Sequence, residues 1–270
     1  MTNLAAKGLG ARATRLDRAV AAVQTRFAPM FPGGEIQDTG LAIWTLSTTT
    51  LLAVNGVIRY DATDFHGAGS ERDLDSCLAV LSTYDVPWRF SAWEHLGAKV
   101  LVPQLVARGM VGTVCAPAMW LDLRVRVLPT AVEDGIEIRS ARSSSDHHVW
   151  TEIFTSVFEI PGEYADVFEA MVAKADSFSA VAYAHGRPVG CLSMEIENGV
   201  AVVDNVGVLP SARRRGVGWR LLKAAQEAAA SRGAKACVVV ATPAGSGVCE
   251  QLGYHAVTSV TYLVPAPHRN

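Results

Sequence analysis

The chain has 270 residues, half of them apolar, and a formal net charge of −2. That length suits one large domain or two small ones, with enough apolar side chains for a sizeable core. The near-neutral balance excludes a general nucleic-acid binder, which would carry a basic excess.

In chain order, residues 13–26 read as an amphipathic helix. Pro29, Pro32 and Gly33-Gly34 break it. Strands are predicted over 41–46 and 55–60, a helix over 71–84, a strand over 88–94, a helix over 97–108 and a strand near 118–127. In the second half, residues 135–141 alternate apolar and polar, as a half-buried strand does. Ser144 or Ser145 is the expected cap of a helix over 146–158, and Pro161-Gly162 separates it from a second helix over 163–174. Strands over 179–184 and 188–197 flank the turn His185-Gly186-Arg187, and Asn198-Gly199 signals a hairpin into a strand over 200–208. A helix over 218–232 carries Leu221, Leu222, Ala225 and Ala229 on one face, and Gly233 ends it. The continuous apolar run 236–241 reads as a central strand. A short helix over 247–252 and a last strand over 257–264 follow.

The densest chemistry lies where the strand over 200–208 gives way to the helix at Gly218. The connection reads Arg213-Arg214-Arg215-Gly216-Val217-Gly218. Backbone N–H groups at a helix start, joined by the helix dipole, make an anion site, and three arginines add positive charge. Such a site suits a pyrophosphate. The spacing is neither G-x-G-x-x-G nor the P-loop G-x-x-x-x-G-K-[ST]. It is Arg213-x-x-Gly216-x-Gly218, and this resembles motif A of the GNAT acyltransferases, [QR]-x-x-G-x-[GA], whose loop holds the pyrophosphate of acyl-coenzyme A. Residues 242–254, ending Cys249-Glu250-Gln251-Leu252-Gly253-Tyr254, are similar to that family's closing segment, L-Y-E-[KR]-L-G-[FY]. The order β-α-α-β-β-β-α-β-α-β over 135–264 matches the family fold.

The resemblance implies an α/β protein (α+β in some schemes) of two GNAT-like domains, each a mixed twisted sheet flanked by helices. A degenerate copy is placed at 1–130 and an acetyltransferase domain at 131–270. The strand-helix-strand-helix-strand order after Asn55 repeats the order after Val200. In the first copy acids in 61–69 (DATDFHGAG) stand where the second has arginines. Acids repel a pyrophosphate, so the first copy is not expected to bind coenzyme A in this way.

Acetyl-CoA, or another acyl-CoA, is the expected cofactor, held by Val206, Gly207, Val208, Arg213, Arg214, Arg215, Gly216, Val217, Gly218 and Thr242. In the family two parallel strands splay to admit the pantetheine arm; here these are the strands over 200–208 and 236–241. The expected reaction is direct acetyl transfer to an amine of a small molecule or peptide. The rival is a non-catalytic coenzyme A-binding or sensing protein. Asp204 and Glu195 are candidate general bases. Strict alternation puts Asp204 on one face with Val202 and Val206. Cys249 stands where the family's acidic tyrosine stands, and a thiol, with a pKa of about 8.5, is a conceivable donor in its place. Glu163 and Tyr164 are candidates for the acceptor wall, and Trp93 and Glu94 for further acceptor contacts. The N-terminal domain is assigned to the acceptor site or to a homodimer contact.

Five cysteines without CxxC spacing (Cys77, Cys115, Cys191, Cys237, Cys249) suggest reduced thiols in a cytoplasmic protein and no metal site. Residues 1–13 hold no apolar signal core, and no apolar run spans a bilayer, so no membrane partner is expected. No nucleic-acid partner is expected either.

Overall fold

The computed structural model describes residues 2–124 and 135–267. The expected boundary between residues 130 and 131 lies outside these. The chain forms two compact units, residues 1–118 with 257–270, and residues 119–256.

The first unit begins with α1 (Thr2–Phe27), longer than its periodicity suggested. It continues through β1 (Glu35–Asp38), β2 (Ala42–Leu46), β3 (Gly56–Tyr60), α2 (Gly67–Ser82), β4 (Arg89–Trp93), α3 (Ala98–Ala107) and the start of β5 (Met110–Asp122). β1 is fully exposed, so no buried-face alternation announces it. In this unit β1, β2, β3 and β4 are sheet neighbours in that order, and β11 (His255–Pro265) lies against β4. The β11–β4 pairing is antiparallel, from Val260↔Trp93 to Leu263↔Phe90. The last strand thus completes this unit's sheet, although the sequence reading made it the closing strand of the second domain. Leu263 is fully buried in the cluster of Tyr60, Phe90, Leu101 and Leu105, so burial of this apolar position accompanies the pairing.

β3 and β4 run parallel and pair only at Gly56↔Arg89 and Val57↔Phe90. Beyond that point the indole of Trp93 donates to the Ile58 carbonyl at 2.9 Å. Behind β3, Arg59 pairs with the buried Asp17 of α1 at 2.8 Å.

The second unit contains the end of β5, β6 (Ile136–Ser140), α4 (Ser144–Phe158), α5 (Ala165–Val172), β7 (Phe178–Ala184), β8 (Arg187–Glu197), β9 (Val200–Val208), α6 (Val217–Ser231), β10 (Ala236–Val240) and α7 (Ser246–Gln251). Its strand order is β10-β9-β8-β7-β6, with the end of β5 beside β10. The expected cap of α4 moves back to Ser143, whose extended backbone and Oγ, accepting from Asp146 N–H, complete a capping box. One apolar face of α6 (Val217, Leu221, Leu222, Ala225, Ala229) packs with Ala201, Val203 and Cys237 of the sheet. α4 covers the other face through Trp150, which is fully buried and stacks on Phe154 with ring centroids 5.0 Å apart.

Candidate active site

β9 holds the site because it is irregular on both edges. On one edge it pairs in parallel with β10 only at Val200↔Ala236, Ala201↔Cys237 and Val202↔Val238. No β9–β10 pairing among the described residues continues past Val202, so the two strands part there. On the other edge β9 pairs with β8 at Val208↔Gly190 and Gly207↔Cys191, and then at Asp204↔Ser193. Two β9 residues, Asn205 and Val206, therefore face one β8 residue, Leu192: a β-bulge.

Asn205 takes φ +54° there, a left-handed conformation that asparagine tolerates better than a branched residue. Its Nδ2 donates to Ser193 Oγ at 2.9 Å. The Leu192 carbonyl accepts from Trp150 Nε1 at 2.8 Å.

The bulge shifts the side-chain phase. Val206 and Val208 pack into the core shared by Ala201 and Val203, on the α6 side. Asp204 and Gly207 take the opposite phase, and Gly207 faces α4: a Cβ on it would stand 3.2 Å from Phe158 Cε2 and 3.3 Å from Val157 Cγ1. The alternation expected from sequence, with Val202, Asp204 and Val206 on one face, does not survive the extra residue.

Leu209 N–H bonds the Val189 carbonyl at 2.9 Å, so the N–H and carbonyl of Val208 point away from β8, toward the gap. The carbonyl accepts from Arg213 Nε at 3.1 Å. That bond folds the turn back over the strand end and leaves the Val208 N–H facing the gap. The chain then passes Arg214 at φ +65° and Gly216 at φ +78°, the N-cap of α6. These two left-handed residues aim successive amides outward. Among the described residues, the N–H groups of Arg214, Arg215, Gly216, Val217 and Gly218 have no protein acceptor. The space in front is open, since a Cβ on Gly218 would meet only Val208 Cγ2, at 3.9 Å. Arg213, Arg214 and Arg215 are exposed. The start of α6 is fixed against β8 at Gly190, where a Cβ would come within 2.9 Å of the Gly207 carbonyl, 3.0 Å of Val217 and 3.1 Å of Leu221.

Five unpartnered amides, a helix start, three arginines and a parting of parallel strands fit a diphosphate with a long thin arm. Residues 147–254 match the Acetyltransferase (GNAT) family. That stretch, within the second unit, is similar to a GNAT domain. Solved structures agree in fold over most of the chain. A GCN5-related N-acetyltransferase from Kribbella flavida superposes with a TM-score of 0.71 at 19% identity, covering 95% of this chain and 97% of that one. A GCN5-related N-acetyltransferase from Sphaerobacter thermophilus gives 0.63 at 15% identity, with coverages of 86% and 83%. A tandem GNAT protein from the clavulanic acid biosynthesis pathway gives 0.62 at 16%, with coverages of 91% and 88%. No curated protein sequence matches the chain. The chain thus has the tandem GNAT fold, of mixed sheets flanked by helices. No helix among the described residues is long and apolar enough to cross a membrane.

The remaining site candidates lie in varied surroundings. Asp204 is exposed, and its Oδ1 accepts from Asn205 N–H at 2.8 Å. Glu195 is 5% exposed and accepts the Ser177 hydroxyl. It pairs with Val202, so it sits beside the point where the strands part rather than in the open mouth. Cys249 is 2% exposed in the core, and burial pushes its thiol up to about 11. Thr242 is exposed, and its Oγ1 accepts from Gly245 N–H at 3.1 Å in the turn before α7. Glu163 is exposed, while Tyr164 is buried at the start of α5. In the first unit, Trp93 is buried against Ile58, and the exposed Glu94 accepts from Ser259 Oγ at 3.0 Å. Sequence reasoning missed Asn205, Trp150 and Gly190. The signal for the first was an Asp-Asn pair interrupting a valine-rich strand.

Proposed function

We propose that the second unit is an N-acetyltransferase that acts on the amine of a small molecule or peptide by direct transfer from acetyl-CoA. One observation carries this reading: the amides from Arg214 to Gly218, with no protein acceptor among the described residues, follow the end of a strand, β9, whose pairing with β10 stops at Val202. Those amides and the flanking arginines would hold the diphosphate, and the N–H of Val208 would meet the arm entering the gap. Bound there, acetyl-CoA supplies an activated acyl thioester.

The chain's own work is positioning and proton removal. Holding the two reactants together supplies much of the acceleration. The amine would approach from the α4 side, where Phe158 is 44% exposed and the acid Glu163 is also exposed. Carboxylates there attract a protonated amine, and an open aromatic ring adds a cation–π surface. Asp204 is the solvent-exposed carboxylate on β9 and would take the amine proton directly or through water. Glu195, closed in by Ser177, is the weaker choice. Cys249, inside the core, is not needed, because water can protonate the departing thiolate.

Thiol release from acetyl-CoA across a panel of amines tests the reading. Turnover with at least one primary amine is expected, and Asp204→Asn should lower kcat/KM by about a hundredfold or more, the scale of general base catalysis. Tight coenzyme A binding without turnover on any amine would favour the non-catalytic reading instead. An Asp204→Asn enzyme with full activity would remove Asp204 from the mechanism.

A further inference from the structure

We infer that the second unit carries a second ligand site, for a small phosphorylated anion, at the far end of α6 from the glycine loop. A cavity of about 430 Å³ opens there between the start of α4, the end of α5 and the end of α6. At about 1.5 Å rise per residue it lies roughly 20 Å along the helix from the amides of the acyl-CoA site.

Four basic side chains line the cavity, Arg142, His147, Lys174 and Arg232, and no aspartate or glutamate does. This clustering occurs in a chain whose net charge is −2, so it is local rather than a general excess. The nearest carboxylates are already hydrogen-bonded. Asp146 accepts from the backbone N–H of Ser143 at 2.9 Å and of Arg142 at 3.1 Å, and the Ser143 bonds are the main reason its carboxyl is lowered to about 2. Glu195 is buried behind Ser177 and accepts its hydroxyl.

Helix ends explain two of these basic side chains, and leave Arg142 unexplained. Lys174 and Arg232 follow the ends of α5 and α6, where a positive charge offsets the exposed carbonyls. Arg142 stands just before the start of α4, which is already positive, so the helix field disfavours it. Arg142 is exposed, and its guanidinium has no acceptor among the described residues. Arg232 Nη1 donates to the Asp176 carbonyl at 3.2 Å, and the guanidinium lies 5.5 Å over the Phe178 ring. That bond leaves most of its five N–H donors available. A phosphoryl group carries about −1.5 to −2 charges and three acceptor oxygens, which matches a donor-rich wall without acids.

The test is titration of inorganic phosphate, by calorimetry, into three forms of the full chain. Arg214→Glu/Arg215→Glu removes the competing anion site at the glycine loop and should still bind one phosphate. Added to that loop variant, Arg142→Gln/Lys174→Gln should lose that binding, by about a hundredfold, or about tenfold for each charge-assisted contact removed. Arg142→Gln alone in the same loop-variant background, at an exposed position, guards against a folding defect and should weaken phosphate about tenfold. No phosphate binding to the loop variant would overturn the site, as would unchanged affinity in Arg142→Gln. Neither outcome depends on acyl transfer.

Discussion

Replacing Gly216 by valine is expected to weaken acetyl-CoA binding a hundredfold or more while the second unit stays folded. Two effects combine. Gly216 holds φ +78°, and a residue with a Cβ pays about 1–2 kcal/mol in that region, more when branched at Cβ. The loop would relax toward negative φ, turning the amides of Arg215, Gly216 and Val217 away from a common centre. Each charge-assisted contact so lost contributes about 1.5–3 kcal/mol, and each 1.4 kcal/mol is about tenfold in affinity. The fold should survive, because Gly216 precedes the buried face of α6 that begins at Val217. Calorimetric titration with acetyl-CoA, beside a circular-dichroism spectrum, reads both parts. Unchanged affinity in a folded Gly216→Val protein would mean that the diphosphate is not held at this loop.

The largest expected effect on stability falls at Trp150. Trp150→Ala should cost the second unit about 4 kcal/mol, the range for emptying a buried aromatic site. The ring is fully buried and stacks on Phe154, which in turn packs on Phe168 at 4.6 Å. A second loss accompanies the cavity. The Leu192 carbonyl, opposite the bulge, would lose its indole donor, and an unsatisfied buried carbonyl costs about 1–3 kcal/mol. Trp150→Phe separates the two, since it keeps most of the packing and removes only the donor. Denaturant unfolding should rank the three proteins wild type, Phe, Ala in falling stability. Less than about 1 kcal/mol lost in Trp150→Ala would show that α4 is not anchored to the bulge through this side chain.

The shape of the loop proposed to hold the cofactor was legible because backbone geometry is written in glycine. Gly216 and Gly218 mark where the chain turns left-handed and where a ligand approaches closely, and the arginines mark the charge. The α/β fold class was legible in the switching of hydrophobic period along the chain. The bulge at Asn205 was not, because a single extra residue leaves no mark in an apolar count. Alternation carried through Asp204 therefore put Val206 on the wrong face. The placement of β11 was also hidden. Residues 255–265 read as a strand in any setting, and its partner β4 lies far away in sequence, where no local propensity could point. Trp93 shows the same limit: its sequence context suggested an acceptor contact, while in the fold its indole bonds the carbonyl of Ile58 on the neighbouring strand.

A crystal structure of the protein grown with coenzyme A would test the central claim most directly. The expected result is one coenzyme A per chain, its diphosphate oxygens within hydrogen-bond reach of the amides of Arg214 to Gly218 and its pantetheine arm between β9 and β10. A coenzyme A bound anywhere else, with those amides facing only solvent, would contradict it.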